Sequence, residues 1–439
     1  MSVGVTGVGE REMKIARSVA WAILVMRLAV LDPLELLRAR SINDYASFHA
    51  ASAAIRHGFD PYSAVDLPAV AKAVELPHPH PYFYPPLLAE LLLPLTWFQA
   101  FAARMIWHFG SALSFFACLA LLQRWLDRRL DGPRAELAKT GLMIMACSMW
   151  ALRSTHFMGQ VNAYVLLAIV GWWTERDRRP NLAAALLGLA AAIKMSPALL
   201  LLVPLTQRRW RELLVSGATG AGLVLGSCLV IGERGLRFFS EVLLGFLPGR
   251  QYHGLGVPID IGGNHSLGAL AFWLFDRPRR LPPLHLSPEA ARFHAAVVLV
   301  LLLGWLVVSL RRATPEGSTA ALMVLMVVAP TYAFEHHVSF TLLPVACVMV
   351  LLVEGGHGDP PQTKGSTLLR RAGFLLTLAA LALLTPHEAD LLPPPRVKPW
   401  LVMLSHMPKL LPLLTLFLLA LVPRQTSATV ASAPASRSA

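Results

Sequence analysis

Charge is scarce in this chain: Asp, Glu, Lys and Arg make up only 15% of the 439 residues, while 55% are hydrophobic. A soluble domain carries about a quarter of its residues as charges, so the deficit argues against one. Cysteine is nearly absent too. Cys118, Cys147, Cys228 and Cys347 all lie inside apolar segments without CxxC spacing. They read as small buried hydrophobes, which excludes a disulfide framework and a zinc ligand set. There is no GxGxxG after a strand, no Walker sequence and no DxD, so no nucleotide-sugar site is visible. No A-x-A site follows the first apolar stretch, and Arg27 interrupts it. That stretch therefore reads as an uncleaved first helix rather than a removed leader.

What the chain has instead is long apolar runs. A bilayer core takes roughly 20 apolar residues in a helix, and stretches such as 293 to 310 and 401 to 422 are long enough. The net charge of +13 is confined to short clusters between the runs: Arg11 to Arg17, Arg124 to Lys139, Arg176 to Arg179, Arg208 to Arg211, Arg311 with Arg312, Lys364 to Arg371, and Arg424. Cytoplasmic anchoring under the positive-inside rule explains this pattern, and nucleic-acid binding does not. Threading the chain between these anchors predicts an all-α, polytopic transmembrane bundle of about 12 helices. They fall near 18 to 37, 103 to 123, 136 to 152, 160 to 174, 181 to 193, 197 to 206, 213 to 232, 292 to 310, 318 to 331, 338 to 354, 372 to 386 and 401 to 422. The organisation expected is a cytoplasmic N-terminus over 1–17, one transmembrane domain over 18–422 and a disordered cytoplasmic tail over 423–439.

Two segments resist simple threading. Residues 181 to 206 are too short for two full spans, and a hairpin of short helices turning at Lys194, Ser196 and Pro197 resolves this. Tyr84 to Phe98 is apolar but carries Glu90 and Pro94, and reads as an interfacial or re-entrant segment. The remaining polar clusters then fall on one extracytoplasmic face: the first loop over 38–102, then 153 to 162, the Lys194 turn, the long loop over 233–291, 332 to 337, and 387 to 400.

That face holds the candidate chemistry. Asn43 is placed to cap a juxtamembrane helix with Asp44 in its first turn, where the carboxylate either complements the helix dipole or acts chemically. Gly58 and Pro61 read as turn residues, and Tyr62, Tyr82 and Tyr84 as interfacial aromatics. Gln160 and Asn162 put two amides at a helix mouth. Lys194 is a cation inside an apolar stretch, a position that needs water, a headgroup or an anion. The long loop contributes Arg250, Tyr252, His253 and Asp260. After it, Gly262-Gly263-Asn264-His265-Ser266 opens a helix as an anion-friendly backbone site or a plain turn with a cap. Glu335-His336-His337 hints at metal, but adjacent side chains diverge on a helix and no HExxH accompanies them.

Asp44 with Gly58-Phe59-Asp60-Pro61-Tyr62, Tyr84-Pro85-Pro86, Gly159-Gln160-Val161-Asn162, Ala192-Ile193-Lys194 to Pro197, Asn264-His265-Ser266-Leu267 and Glu335-His336-His337 follow one another over roughly residues 40 to 350. In this order they resemble glycosyltransferase family 87 of the GT-C superfamily, the polyprenyl-phosphate-mannose-dependent mannosyltransferase-like membrane proteins. The chain departs from the usual family form with His265 where Gln is common, and with Ala333-Phe334 where Trp is common. The resemblance implies a GT-C-type bundle with juxtamembrane helices in the first outer loop. It also implies a hexosyltransferase, with mannose as the expected sugar, taken from a polyprenyl-phosphate donor and passed to a lipid or glycan acceptor outside the cytoplasm. Asp44 would be the general base of an inverting displacement, with Glu335 as a backup acid or base. Lys194, Arg250, His336, His337, Gln160, Asn162, Asn264, His265 and Tyr84 would hold donor phosphate or substrate. No cofactor, metal or nucleic acid is implied, and the partners are the donor, the acceptor and membrane lipids.

Two other classes compete. A transporter or flippase of lipid-linked sugars would place polar groups at the bilayer midplane and show internal repeats. A ligase or polymerase of the O-antigen type would shift the key residues to the loop around Arg250 and His253.

Overall fold

Helix starts are written into the sequence by proline and hydroxyl residues. Pro33, Pro86, Pro133, Pro180, Pro288 and Pro315 all fall in first turns, where a missing N–H is harmless. Ser266, Ser287 and Thr314 accept the backbone N–H of Ala269, Ala290 and Gly317 at 2.9, 3.3 and 3.1 Å. The computed structural model describes residues 9–40, 42–77, 79–244, 257–259, 261–276, 286–354, 364–383 and 407–422. Among these residues the chain is helical, with no strand.

In chain order the first part comprises α1 (Glu10–Met26), α2 (Asp32–Ala39), α3 (Tyr45–Arg56), α4 (Asp66–Ala73), α5 (Pro86–Leu91), α6 (Ala100–Arg129), α7 (Gly132–Ser148), α8 (Trp150–Met158), α9 (Asn162–Glu175) and α10 (Pro180–Ile193). After them come α11 (Leu202–Thr206), α12 (Trp210–Ile231), α13 (Glu233–Arg237), α14 (Leu267–Phe275), α15 (Pro288–Arg311), α16 (Pro315–Val328), α17 (Leu342–Glu354), α18 (Lys364–Leu383) and α19 (Leu410–Leu421). Four helices among the described residues are long and apolar enough to cross a membrane: α6, α12, α15 and the continuous Glu335–Glu354. The other apolar helices, including Pro180–Ile193, Ser196–Thr206, Pro315–Val328 and Leu410–Leu421, are shorter.

Several boundaries differ from those expected. The first helix begins earlier, at Glu10, and joins α2 through a widened π-type turn over Arg27–Leu31. The helix expected over 136 to 152 breaks at Met149, whose backbone is extended, and α8 sets off in a new direction. Residues 84 to 98 form only α5 and a 3-10 turn over Leu93–Trp97. The tail over 423–439, the stretch 387 to 400 and Arg424 lie outside the described residues.

One group of ion pairs collects at one set of helix ends, apart from Arg153–Glu35, Arg237–Asp60 and Lys409–Glu335. Arg17 meets Glu136 at 2.5 Å, Lys139 meets Asp127 and Glu136 at 2.6 Å, and Arg129 bridges Glu316 at 2.5 Å and Glu354 at 3.7 Å. Arg176 pairs with Glu212 at 3.1 Å, and Arg209 pairs with Asp177 and Glu212 at 2.7 and 2.6 Å. Arg176 and Glu212 are both buried, so losing one partner costs about 3–5 kcal/mol. Ion pairs thus tie Arg17 and the clusters around Arg129, Arg176 and Arg209 to acidic partners at these helix ends. The outer faces of α12 and α15 are bare apolar surface, with Leu229 84% and Val300 67% exposed. Hydrocarbon suits such faces and water does not.

Candidate active site

At the helix ends opposite the ion-pair layer, the turn between α8 and α9 brings the polar residues together. α8 closes on Gly159 in a left-handed conformation, φ 74°. A Cβ there would lie 2.8 Å from Tyr45 Cβ and 2.9 Å from Arg104 Nε, so glycine is needed for backbone conformation and space alike. The carbonyls a helix end leaves orphaned are taken by side chains. The Arg104 guanidinium donates to His156 O and to Phe157 O, Asn43 Nδ2 donates to Phe157 O at 2.9 Å, and Trp107 Nε1 donates to Gly159 O at 2.8 Å.

Asn43 therefore does not cap α3 as expected. It adopts φ 46° and spends its side chain on α8, which leaves Asp44 at the N-cap with no capping bond of its own. The Asp44 carboxylate accepts from Gln160 Nε2 at 2.5 Å, and Gln160 Oε1 accepts from the Tyr84 hydroxyl at 2.9 Å. Burial raises the pKa of Asp44. The Gln160 hydrogen bond and the charges of His80, Lys194 and Arg104 pull it back.

Beside this carboxylate lies a cation. Lys194 ends α10 in an extended turn, and its ammonium donates to Asn162 Oδ1 at 2.8 Å. It sits 5.7 Å from the Tyr84 ring centroid and 5.5 Å from that of Phe340. Asn162 Nδ2 in turn donates to His336 O at 3.0 Å. Carboxylate, amides, ammonium and tyrosine thus come from four separate segments into one cluster. The pairing of a carboxylate with a nearby cation suits proton abstraction next to a developing anion.

A family model for glycosyltransferase family 87 matches residues 82–334. The chain belongs to glycosyltransferase family 87. Tyr84, Gln160, Asn162, Lys194, Asn264 and His265 fall inside the matched stretch, whereas Asp44, Glu335, His336 and His337 flank it. A polyprenol-phosphate-mannose-dependent alpha-(1-2)-phosphatidylinositol pentamannoside mannosyltransferase of Mycolicibacterium smegmatis is 32% identical over 173 residues, 38% of this chain and 39% of the relative. The protein of the same description from Mycobacterium tuberculosis strain CDC 1551 is 28% identical over 168 residues, 38% of this chain and 37% of the relative. An alpha-(1-2)-phosphatidylinositol mannoside mannosyltransferase of Mycobacterium tuberculosis H37Rv is 30% identical over 151 residues, 32% of this chain and 35% of the relative. The chain spans about two fifths of the length of the curated relatives it matches.

The other expected site residues of this family 87 protein divide into two groups. His336 and His337 adjoin the cluster, their rings 4.4 Å apart and within electrostatic reach of Lys194. His337 Nδ1 accepts from Phe334 N at 3.1 Å. Asn264, His265 and Glu335 instead form a brace. Asn264 Nδ2 donates to Ile259 O and Thr331 O, Asn264 Oδ1 accepts from Ala333 N at 2.8 Å, and Ser266 caps α14, so the glycine pair opens a plain turn. His265 Nε2 lies 3.0 Å from Glu335 Oε2, and Glu335 Oε1 pairs with Lys409. Arg250, with Tyr252, His253 and Asp260, lies outside the described residues. Among the described residues no three His, Cys, Asp or Glu side chains converge as a metal site.

Two residues in or beside these clusters escaped sequence reasoning, Arg104 and Lys409, both fully buried. The signal that singled out Lys194, a cation in an apolar run, is present at Lys409, whereas Arg104 lies near the start of α6, where a cation reads as an interface anchor.

Proposed function

We propose that this protein transfers a hexose, mannose, from a polyprenyl-phosphate donor to a lipid or glycan acceptor, with Asp44 as general base. The observation that carries the reading is the Asp44 carboxylate, oriented by Gln160 at 2.5 Å and electrostatically coupled to the Lys194 ammonium. The relatives' use of polyprenol-phosphate-mannose supports the donor class. In the reaction, the acceptor hydroxyl oxygen attacks the anomeric carbon and the bond from that carbon to the phosphate oxygen breaks. The hydroxyl proton passes to Asp44, and polyprenyl phosphate departs with its negative charge beside Lys194, His336 and His337. Direct displacement inverts the anomeric centre. No cofactor or metal enters this scheme.

The reading includes a twelve-helix GT-C arrangement in the cell membrane with the site on the extracytoplasmic face. Its support is the placement of the basic clusters. The basic ion-pair layer occupies one set of helix ends and the Asp44 cluster the other, about 21 Å apart along the 14 residues of α9. The test is transfer by purified protein from labelled polyprenyl-phosphate mannose to a panel of phosphatidylinositol mannosides and glycans. Product from wild type and none from Asp44→Asn is expected. Absence of both transfer and donor binding in folded wild type would overturn the proposal.

A further inference from the structure

A series of side-chain contacts leads from α13 to the Asp44 carboxylate. Arg237 of α13 pairs with Asp60 Oδ2, and Asp60 Oδ1 accepts from the Tyr62 backbone N–H at 2.9 Å. Asp60 is buried, and both of its oxygens are thereby engaged, as a buried carboxylate requires. The Tyr62 hydroxyl donates to Tyr84 O at 2.9 Å, and the Tyr84 hydroxyl donates to Gln160 Oε1 at 2.9 Å. Gln160 Nε2 then closes the series on Asp44 at 2.5 Å.

Two tyrosines hold consecutive carbonyls of the segment that carries Tyr84. Tyr62 takes the carbonyl of Tyr84, reaching across 22 residues. The buried Tyr82 hydroxyl takes that of Pro85 at 2.9 Å while accepting from Ala89 N at 3.0 Å. Their rings pack as well: Tyr62 lies 5.6 Å from Tyr82 and 6.1 Å from Phe238, and Tyr82 lies 6.1 Å from Tyr84. The Tyr84 hydroxyl decides which end of the Gln160 amide faces the carboxylate, because a side-chain amide has one accepting and one donating end. With Oε1 held by Tyr84, Nε2 is the end presented to Asp44. Without that bond the amide is free to turn its oxygen toward a like charge.

We infer that Tyr62 is a positioning residue for the general base: its hydroxyl fixes the Tyr84 backbone, and Tyr84 aims the Gln160 amide at Asp44. The Arg237–Asp60 pair holds Tyr62 for that task. The inference rests on the general-base reading above. His80, Lys194 and Arg104, the charged and titratable groups that act on Asp44 electrostatically, are left in place by a change at Tyr62.

The experiment measures kcat against pH and donor KM for the full chain with polyprenyl-phosphate mannose, comparing wild type with Tyr62→Phe, Gln160→Leu and the double variant. Tyr62→Phe keeps the ring and removes one hydroxyl. It should lower kcat about threefold to tenfold, leave donor KM within about twofold and move the acid limb of the kcat profile upward by about half a pH unit. The double variant should match Gln160→Leu alone within about twofold, because both changes act through the same amide. A merely structural contact would cost thermal stability and leave the acid limb unmoved. An unmoved limb in Tyr62→Phe, or a double variant that loses the product of the two single effects, overturns the inference. If Gln160→Leu transfers too slowly to measure, the acid limb of Tyr62→Phe decides alone. Folded wild type that transfers no sugar overturns the general-base reading and the inference together, whereas transfer by wild type with an unmoved limb in Tyr62→Phe overturns only the inference.

Discussion

Gln160 donates its side-chain amide to Asp44 Oδ2 at 2.5 Å, joining residues 116 positions apart. The bond favours the ionised carboxylate and opposes the burial that raises the Asp44 pKa. As a general base Asp44 must be ionised, so turnover is full above its pKa and is lost as pH falls through it. Gln160→Leu removes a lowering influence, and the acid limb of the kcat profile should move to higher pH, with the alkaline plateau retained. An unmoved acid limb would show that the amide has no effect on the titrating base.

Lys194 should act on donor binding. Its ammonium is held by Asn162 at 2.8 Å, and Asp44 is the carboxylate that acts on it electrostatically. Lys194→Ala should weaken donor binding at least about tenfold, with a smaller effect on bound-state turnover. Asn162→Ala, which leaves the cation but frees it, should do the same more weakly. Donor affinity measured directly on both variants checks this, and unchanged affinity with only folding impaired would reduce Lys194 to a snorkelling cation.

Gly159→Ala should destabilise the protein more than Gly58→Ala. Both glycines have positive φ, 74° and 77°, so each substitution carries left-handed strain of about 1–2 kcal/mol. At Gly58 nothing lies within 4 Å of the added methyl, whereas at Gly159 it meets Tyr45 Cβ and Arg104 Nε below 3 Å. Thermal unfolding in detergent should therefore show the larger drop for Gly159→Ala, accompanied by lost turnover, because the next residue is Gln160.

The apolar runs and basic clusters were legible in the sequence because a bilayer sets a length for one and a side for the other. Asp44, Gln160, Asn162 and Lys194 were legible as polar residues lacking an anchoring role, and they meet in space. Their partners were not. Nothing in the spacing couples Asn43 to Phe157, and an asparagine before a helix reads as a cap until its φ of 46° is known. The break at Met149 carries neither proline nor glycine. The Glu335 and Lys409 pair joins segments 74 residues apart, and Arg104 sits at a helix start where a cation reads as an interface anchor.

Membrane orientation gives a prediction independent of chemistry. Arg129 and Arg209 belong to the ion-pair layer and Arg178 to the basic cluster of the α9 to α10 turn, while Asp44, Gln160 and His337 lie at the opposite helix ends. Single cysteines placed at these six positions should divide cleanly in intact cells. The first three should be shielded from a membrane-impermeant thiol reagent and the last three open to the outer compartment. A residue 44 on the cytoplasmic side would end the proposed mechanism.

Asp44 itself gives the sharpest test. It is placed by Asn43, which pins the preceding residue to α8, and by Gln160, which fixes one carboxylate oxygen. The other acidic side chains nearby are occupied or elsewhere. Asp60 pairs with Arg237, Glu335 with Lys409, and Glu90 faces Ser227 of α12. Asp44→Asn keeps the shape and an acceptor oxygen but removes the basicity, so kcat should fall by roughly 10² to 10⁴ with donor affinity largely retained. Asp44→Glu should rescue poorly, because about one methylene of displacement breaks both the Gln160 bond and alignment with the acceptor hydroxyl. A carboxylate serving only as a helix-dipole partner would predict the reverse. Glutamate would then substitute well, and asparagine, itself a good N-cap, would leave turnover near wild type. Measuring transfer and donor binding side by side on the two variants separates these roles, and near wild-type turnover in folded Asp44→Asn would remove Asp44 from the chemistry.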